Sequence, residues 1–554
     1  MFFEYGPPIW RVGLQSCLVL LAGGIVTFLT KLYRIRHKFQ LMQKEGLPMP
    51  PHHPVFGHLQ FVAGIMSKLP NDVHGHVLPH QIKLTMPDLG PMFYIDTWPF
   101  GPPILAVAGP DPAYQITQLH SLPKYHALRE YMRPMTGGND LVTMEGREWK
   151  TWRNIFSPGF SSGHLMTLVP EIMEELSTFC EILRELARKP DIILMDPLAA
   201  KLSLDIIGRV ALDTQLNAQR STNDFVSALR NQIRWLSFGN EANLFERYHP
   251  LRPVMRWWND RRMVRYISHE LDLRFKSNRE SNDVVKKHRS KTIIDLALEN
   301  YLAEQARNGS SDAMGTNFQD FAISQIRTFV FAGHDSTSST ICYAFHLLST
   351  NPSIRRLLIA EHNRVLGPEY NQATTRIRQN PHILNQLNYT LAVVKETLRL
   401  YPPASSTRSG EPGYSIQGHD GRQFPTDGFL VWSNPYAVHH DPTHWPEPNN
   451  FLPERWLVGE GDRLYPAKGV YRPFEFGPRN CIGQELAMLE LKLVLIVTAR
   501  EFEIESVYEE WDRLHPRKGP KRPYTEDLGK DLVAGSVDQL ALPDVFSRKQ
   551  RLIS

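Results

Sequence analysis

The sequence predicts a mostly helical domain with a smaller β-rich region, preceded by one N-terminal transmembrane helix. Apolar residues recur at three- and four-residue steps from about residue 141 onward, which is the spacing of one helix face. The preceding stretch mixes short apolar runs with many prolines and glycines, which is typical of strands and turns. Near the N-terminus lies an uncharged apolar run.

The apolar run, VGLQSCLVLLAGGIVTFLT at residues 12–30, is the predicted anchor. As a helix it spans about 28 Å, close to the hydrocarbon thickness of a bilayer. The run is followed by four basic residues, Lys31, Arg34, Arg36 and Lys38. A secretory signal instead carries its positive charge before the apolar run. The positive-inside rule therefore places residues 1–11 in the lumen and the rest in the cytosol. A buried core helix or a re-entrant segment is the alternative, because glutamine, serine and two glycines interrupt the run.

Residues 31–59 are predicted to join the anchor to the body as a basic patch and a proline-rich hinge. Four prolines in GLPMPPHHPVFGHL, residues 46–59, disfavour a regular helix and favour an extended connector. Length alone favours about three or four domains. No break in composition after the hinge requires a second domain, and residues 60–554 are treated as one unit.

Charge and cysteine content exclude two classes of protein. The net charge is only +4, from 62 basic and 58 acidic residues, whereas nucleic-acid binding usually shows a strong basic excess. The 4 cysteines are far apart and form no C-x-x-C pair. This argues against a disulfide scaffold and favours a reducing compartment.

The segment FEFGPRNCIG, residues 474–483, has the features of a site for a thiolate-bound planar group. Cys481 precedes a predicted helix, whose free amides favour negative charge. Gly477 and Gly483 let a bulky group approach the backbone, Arg479 can reach a carboxylate beside it, and Phe474 can shield the sulfur. A buried cysteine in a loop is the alternative, but it explains neither the glycines nor the arginine.

All five fixed positions match F-x-x-G-x-R-x-C-x-G, so the sequence resembles the cytochrome P-450 superfamily. The resemblance covers nearly the whole chain after the hinge and implies a single P-450 domain. It implies that the Cys481 thiolate binds the iron of haem b. It also implies that Phe474, Arg479 and Gly483 lie against the haem.

A second motif of the family lies in KETLRLYPP. Glu396 and Arg399 are one helical turn apart and can form an ion pair. The resemblance adds Arg455, in FLPERWL, and implies a buried Glu-Arg-Arg network that fixes the cysteine loop. A solvated pair on a helix surface is the alternative.

AGHDST, in the middle of a long predicted helix, is similar to the family motif A-G-x-D/E-T. The resemblance implies that Gly333 leaves room for dioxygen and that Asp335 and Ser336 deliver protons. The family's usual threonine is Ser336 here, with Thr337 next to it. Packing of small residues between helices is the alternative.

Three more residues resemble the family's ligands for the haem propionates. Trp149 and Arg153 match W-x-x-x-R in WKTWR, and Arg408 follows PPASST. Several cationic partners are expected, because a buried carboxylate is costly without them.

The resemblance implies a monooxygenase that uses O2 and NADPH-derived electrons. A membrane-bound NADPH-cytochrome reductase would dock near Cys481, and the enzyme would lie in the endoplasmic-reticulum membrane, in contact with lipid. Residues 124–141 and 327–335 are rich in apolar and aromatic residues and indicate a hydrophobic small-molecule substrate. The sequence looks like fungal members, many of which modify polyketides, terpenoids or alkaloids in secondary metabolism.

Three alternatives stay open. A haem-thiolate isomerase or dehydratase would use the same cysteine without the Asp335–Ser336 pair. A nitric oxide reductase would be soluble, unlike a chain with an anchor. A non-enzymatic, membrane-tethered haem protein would consume no NADPH with any reductase.

Overall fold

The computed structural model describes residues 9–69, 73–189, 192–236, 249–280, 291–307, 316–514 and 545–550. The chain is mostly helical with a small β region, as predicted. The helices within the described residues are α1 Ile9–Lys44, α2 Leu59–Met66, α3 Leu78–Thr85, α4 Pro110–Tyr114, α5 His126–Thr136, α6 Gly146–Phe156, α7 Ser162–Thr167, α8 Val169–Ala187, α9 Met195–Leu212, α10 Asp224–Leu236, α11 Arg252–Glu280, α12 Ile293–Arg307, α13 Thr316–Thr350, α14 Pro352–Leu366, α15 Tyr370–Gln379, α16 Asn388–Leu400, α17 Pro435–His439, α18 Gln484–Thr498 and α19 Tyr508–Leu514.

The largest sheet joins strands from distant parts of the chain. The strands are β1 Met92–Ile95, β2 Ile104–Val107, β3 Ile193–Leu194, β4 Ser406–Ser409, β5 Ser415–Gln417, β6 Gln423–Pro425, β7 Leu430–Ser433, β8 Phe502–Ser506 and β9 Val545–Gln550. This sheet has the order β1-β2-β7-β4, with β2 and β7 parallel and the other pairs antiparallel. The pairing of β2 with β7 could not be predicted from the sequence, because local patterns do not specify partners far along the chain.

The helical core surrounds the long helix α13, which has 35 residues and matches the predicted long helix. It packs against α9, α16 and α18. Buried apolar side chains from all four helices belong to one cluster. Helix α13 ends at Thr350, just before Asn351-Pro352, because proline lacks the amide that a continuing helix needs.

Helix α1 is longer than the predicted anchor, since it continues through the basic patch to Lys44. Gly13–Lys44 is long and apolar enough to cross a membrane, and its apolar window is not buried in the protein. The predicted lumenal tip, residues 1–11, lies largely outside the described residues.

The predicted hinge is extended but does not hang free. Leu47 and Met49 are buried, and they pack with Phe39 of α1 in a cluster that includes strands β1, β2 and β7. The chain is therefore part of the body from the last turns of α1 onward, earlier than a boundary at residue 60.

Candidate active site

A cavity of about 320 Å³ lies between the long helix α13 and the loop that carries Cys481. Helix α13 lines it with Thr328, Phe329, Ala332, Gly333, Ser336 and Thr337. The loop lines the cavity with Phe474, Arg479, Cys481 and Gly483. The two segments singled out in the sequence for their motifs therefore face each other across one space, and its size suits a small molecule.

Cys481 lies two residues before the cap of α18, and its exposed surface faces the cavity. Its amide donates to the Phe474 carbonyl at 3.0 Å, which closes the loop. Burial raises the pKa of the Cys481 thiol, while the amides of Gly483 and Gln484 and the charge of Arg153 oppose that rise. The amides at the start of α18 therefore stabilise a thiolate at Cys481, as the sequence predicted. Desolvation of the sulfur has the opposite and larger effect on its pKa.

The two glycines of the loop, Gly477 and Gly483, are required for different reasons. Gly477 has φ +83°, and a Cβ there would lie 2.1 Å from the Thr117 carbonyl oxygen. The backbone packing by itself therefore requires glycine at position 477, and the expectation that Gly477 also makes room for a planar group stays a prediction. Gly483 lines the cavity, and the nearest atom to a Cβ there would be Cys481 Sγ at 3.9 Å. Gly483 leaves open space beside the sulfur.

On α13 the structure separates the two members of the predicted proton pair. Ser336 lines the cavity, and its hydroxyl donates to the Ala332 carbonyl at 2.7 Å. Asp335 is exposed and does not line the cavity. Thr337 is buried and also lines the cavity. Two consecutive residues with hydroxyl groups, Ser336 and Thr337, therefore lie in the cavity wall opposite the Cys481 loop.

The predicted Trp149 and Arg153 lie on α6 and both line the cavity. The Trp149 indole donates to the Leu141 carbonyl at 3.2 Å. Arg153 donates to the carbonyl of Asn480 at 3.0 Å and to its Oδ1 at 2.9 Å. Helix α6 is thereby bonded to the residue that precedes Cys481.

Arg479 lies over the Trp149 ring, with its guanidinium carbon 4.3 Å from the ring centre. It donates to the Met144 carbonyl at 2.8 Å and pairs with Glu145 at 3.2 Å. Burial lowers the pKa of Arg479 to about 10, against the opposing charge of Glu145. The protein therefore already supplies Arg479 with one carboxylate.

Arg408, on β4, is fully buried and makes one hydrogen bond, from Nη1 to the Leu122 carbonyl at 2.9 Å. Its Nε and Nη2 have no hydrogen-bond partner among the residues that the structure describes. A buried guanidinium with two idle donors is costly, unless an acceptor from outside the chain completes it. Arg408 does not itself line the cavity, but its charge acts on Lys124, which does.

Lys124 is a site residue that the sequence motifs did not single out, although it begins the predicted lining segment 124–141. Its Nζ donates to Ser406 Oγ at 3.2 Å. Burial, with the charges of Arg408 and Arg479, lowers the pKa of Lys124 to about 7. Within the described residues, neither Lys124, Arg153 nor Arg408 forms an ion pair.

The structure brings Glu396, Arg399 and Arg455 together, all fully buried. Glu396 Oε1 accepts from Arg399 Nη2 at 2.8 Å and Arg455 Nε at 3.0 Å, and Oε2 accepts from Arg399 Nε at 3.0 Å. The Trp456 indole also donates to Oε2, at 3.0 Å. Trp445, not singled out in the sequence, lies beneath both guanidinium groups at 5.1 and 5.7 Å.

This network is connected to the cysteine loop through His439. Arg399 donates to the His439 carbonyl at 2.9 Å, and His439 Nε2 accepts from the Arg472 amide at 2.8 Å. Arg472 lies at the start of the loop and pairs with Glu475. The buried network can therefore hold the segment that presents Cys481.

Glu490, a second residue missed in the sequence, lines the cavity from α18 and is 3% exposed. Its Oε1 accepts from Ser203 Oγ at 2.6 Å. Burial raises the pKa of Glu490 to about 7, and the Ser203 bond opposes this only in part. No sequence pattern around Glu490 distinguishes it from a surface residue of α18.

Haem fits the residues present. Cys481 would bind the iron, Gly483 leaves space beside the sulfur, and the unpaired donors of Arg408 with Lys124 and Arg153 suit an anionic edge. When bound, a thiolate-ligated haem supplies the chemistry of oxygen activation. The fold and this site are those of a haem-thiolate protein.

Comparison with known proteins identifies the family. A profile described as "Cytochrome P450" matches residues 47–523. Cytochrome P450 monooxygenase polC of Polytolypa hystricis is 42% identical over 494 residues, covering 89% of this chain and 88% of that protein. Cytochrome P450 monooxygenase acrF of Aspergillus aculeatus is 36% identical over 473 residues, covering 82% and 92%. Cytochrome P450 monooxygenase ptmG of Penicillium ochrochloron is 26% identical over 504 residues, covering 89% and 88%.

The chain belongs to the cytochrome P450 family and is a cytochrome P450 monooxygenase. The family resemblance found in the cysteine motif is thereby confirmed over most of the chain. It overrides the expectation of several domains that came from length alone.

Proposed function

We propose that this protein inserts one oxygen atom from O2 into a hydrophobic small molecule in fungal secondary metabolism. The observation that carries the proposal is the cavity between Cys481 and the small residues of α13, with apolar walls from Phe329, Leu486 and Ala487. Relatives named monooxygenases in three fungi support it. The apolar lining favours a hydrophobic substrate, and we propose a polyketide, terpenoid or alkaloid.

The cavity residues take distinct roles in this proposal. Cys481 holds the iron of haem b, Phe474 and Gly483 shape the space at the sulfur, and Gly333 leaves room opposite it. Arg479 and Arg153, with Trp149 and Arg408, hold the haem carboxylates. The protein's contribution is to position the reactants and exclude competing water.

Asp335 and Ser336 form the proposed proton path. They are consecutive on α13, with the Asp335 carboxylate exposed and the Ser336 hydroxyl in the cavity. An exposed acid can exchange protons with water, and an adjacent hydroxyl can pass a proton inward through ordered water. The pair thus connects the two sides of the helix.

Electrons would come from an NADPH-cytochrome reductase that docks near Cys481. Helix α1 would hold the enzyme in the endoplasmic-reticulum membrane by a single span, with the body in the cytosol. The length and apolar composition of α1 support the span. The basic residues that follow it support the orientation.

The first test is the variant Cys481→Ala, purified beside the parent protein. We expect the variant to lose the carbon-monoxide difference spectrum and all NADPH-dependent turnover with a reductase. Retention of the pigment with an unchanged spectrum would contradict the assignment of Cys481. Substrate turnover by the parent protein without reductase or oxygen would instead favour an isomerase or dehydratase.

The second test is Asp335→Asn, which removes the acid but keeps the size of the side chain. We expect turnover to fall by about 100-fold or more, because a positioned proton-transfer group typically contributes about 100- to 10,000-fold, with haem content unchanged. Asp320→Asn is the matched control, because Asp320 is also an exposed aspartate on α13. Equal turnover of the two variants would count against the proton path. Deleting the gene in its host and identifying the accumulated metabolite would then reveal the substrate.

A further inference from the structure

A second cavity, of about 530 Å³, lies between helices α5, α10, α11 and α13. No residue lines both this cavity and the catalytic one. The buried Gln325 of α13 bonds to the chain between them, since its Nε2 donates to the Asn139 carbonyl and its Oε1 accepts from the Leu141 amide at 3.0 Å. Asn139 lines the second cavity and Leu141 lines the catalytic one. The second cavity is therefore a separate space, and its volume is that of a ligand site.

One arginine of the second cavity is already paired. Arg327 of α13 is 2% exposed, and its Nη2 lies 2.8 Å from Asp260 Oδ1 of α11. The same guanidinium donates to the carbonyls of Pro134 and Met135, both at 2.8 Å. Arg327 therefore has a carboxylate of the protein as its partner, and its charge is not left for a ligand.

Arg256 also lines the second cavity, one helical turn before Asp260 on α11. Within the described residues it forms no ion pair, and its Nε has no hydrogen-bond partner. Burial and the charge of Arg252 lower the pKa of Arg256. An anion beside the guanidinium would oppose both effects. Arg256 is therefore a cation that a ligand in this cavity can pair.

A second acid of the lining, Asp320, lies at the opposite end of the cavity from Arg256. Asp272 of α11 accepts a hydrogen bond from Gln319 of α13 at 3.2 Å. Together with the buried ion pair, this contact shows that α11 and α13 run antiparallel. Asp320 lies about 10 Å along α13 from the ion pair, toward Gln319, whereas Arg256 lies one turn beyond the pair in the other direction. An anion can therefore reach Arg256 without meeting the Asp320 carboxylate.

Gln232 of α10 adds a hydrogen-bond acceptor to the second cavity. It is fully buried, and its Nε2 donates at 2.7 Å to the Pro134 carbonyl, which also accepts from Arg327. Because a carbonyl can only accept, this bond fixes the orientation of the amide, and Oε1 has no partner among the described residues. A buried acceptor in this state is costly unless a donor from outside the chain completes it. Trp257, 51% exposed on α11, adds an aromatic surface to the lining.

We propose that the second cavity binds a small hydroxycarboxylic acid with an aromatic or apolar body. Its carboxylate pairs with Arg256, its hydroxyl donates to Gln232, and its body lies against Trp257. A carboxylate suits the site because a guanidinium can bind it through two parallel hydrogen bonds. The hydroxyl supplies the donor that the Gln232 amide oxygen lacks. The acid is a ligand in addition to the oxidised substrate, since the cavity is separate from that of Cys481.

Calorimetric titration of the full-length, haem-loaded protein with mandelate, an aromatic hydroxy acid, tests the site. The haem is first saturated with phenylimidazole, which occupies the catalytic cavity. We expect mandelate to bind with phenylimidazole present, and mandelamide, which lacks the charge, to bind about tenfold more weakly or less. Mandelate binding that phenylimidazole abolishes would belong to the catalytic cavity and would overturn the inference. Absence of mandelate binding to the parent protein would overturn it as well.

Arg256→Gln tests the partner of the carboxylate. We expect its affinity for mandelate to be about tenfold lower or more, because a charge-assisted bond is lost, while its carbon-monoxide spectrum is unchanged. Arg265→Gln is the matched control, because Arg265 is an exposed arginine on the same helix that does not line the cavity. Equal affinities of these two variants would overturn the assignment of Arg256. If Arg256→Gln does not fold, the comparison of mandelate with mandelamide on the parent protein decides the question.

Gln232→Met tests the partner of the hydroxyl, since methionine keeps the length of the side chain and removes the amide. We expect this variant to bind mandelate more weakly than the parent protein does. Its affinity for phenylacetate, which lacks the hydroxyl, should not fall. An equal loss of affinity for both acids would overturn the role of Gln232.

Discussion

Two clusters of arginine differ in where their negative charge comes from. Arg399 and Arg455 surround Glu396, whose two oxygens accept from both guanidinium groups. In the described part of the chain, the half-buried Arg153 and the fully buried Arg408 donate only to neutral oxygens, and two nitrogens of Arg408 have no hydrogen-bond partner there. In the first cluster, one carboxylate of the protein forms ion pairs with both arginines and offsets one of their two charges. The second has no acid within the described residues that pairs with it.

This difference indicates two roles for the arginines. Arg399 and Arg455 stabilise the fold through an ion pair within the protein, whereas Arg153 and Arg408 are available to bind an anionic ligand. A buried ion pair becomes strongly destabilising only when one partner is removed. A buried cation without a partner is already in that state, and its cost is offset when an anion binds. Arg153 lines the cavity of Cys481, and the charge of Arg408 acts on Lys124, which also lines it. We therefore propose that the anion is the carboxylate edge of haem.

The largest effect is expected from Glu396→Ala, which leaves Arg399 and Arg455 buried without their carboxylate. The unfolding free energy should fall by about 3–5 kcal/mol, the range for breaking a buried ion pair. Denaturant melts of the purified protein measure it, with Glu460→Ala at an exposed position as control. A loss as small as that of the control would show that the network does not hold the cysteine loop.

An intermediate effect on stability is expected from Glu490→Gln. Glu490 is a buried acid like Glu396, but its partner is the hydroxyl of Ser203 instead of an arginine. Its pKa is raised to about 7, so the folded state holds a proton that the unfolded state loses above about pH 4.5. Stability should therefore fall as pH rises from about 4.5 to above 7, by an amount on the order of 3 kcal/mol in all.

The variant should lack that part of the pH dependence, and its melting temperature should exceed that of the parent at pH 8 but not at pH 4.5. Glu485→Gln, at an exposed position on the same helix, is the control. Parallel pH profiles for parent and Glu490→Gln would mean that Glu490 is ionised in the folded protein at little cost.

The smallest effect on folding, with a clear effect on haem, is expected from Arg408→Leu. Removing an unpaired buried cation should leave the stability of the haem-free protein unchanged or raise it. Haem should dissociate about tenfold faster or more, because a charge-assisted bond to a carboxylate contributes about 1.5–3 kcal/mol. Haem transfer to an acceptor protein measures the rate, with the exposed Arg422→Leu as control. An unchanged rate of haem release would show that Arg408 does not bind the haem carboxylates.

The cysteine motif and the E-x-x-R pair could be found in the sequence because each is local. Cys481 lies at the start of a helix and Glu396 is one turn from Arg399, so short-range spacing already places these atoms. Arg455 followed only from the family resemblance. Lys124 and Glu490 could not be found, because their surroundings come from elements hundreds of residues apart and their charges look like those of surface residues.

The same limit applies at the N-terminus. The apolar run and the prolines were visible, but a hinge was expected where the structure buries Leu47, Met49 and Phe39. Burial of Arg36 depends on Asp96, sixty residues further along the chain. A run of basic residues does not indicate which of its members turns inward.

The sequence by itself determined the family, the cysteine motif, the long helix and the apolar N-terminal run, since each depends on residues close together in the chain. Only the tertiary structure decided which buried cations lack an acid, which side of α13 carries Asp335, and how β2 meets β7. These depend on contacts between distant segments, and burial, which sets the cost of each charge, exists only after those segments have packed.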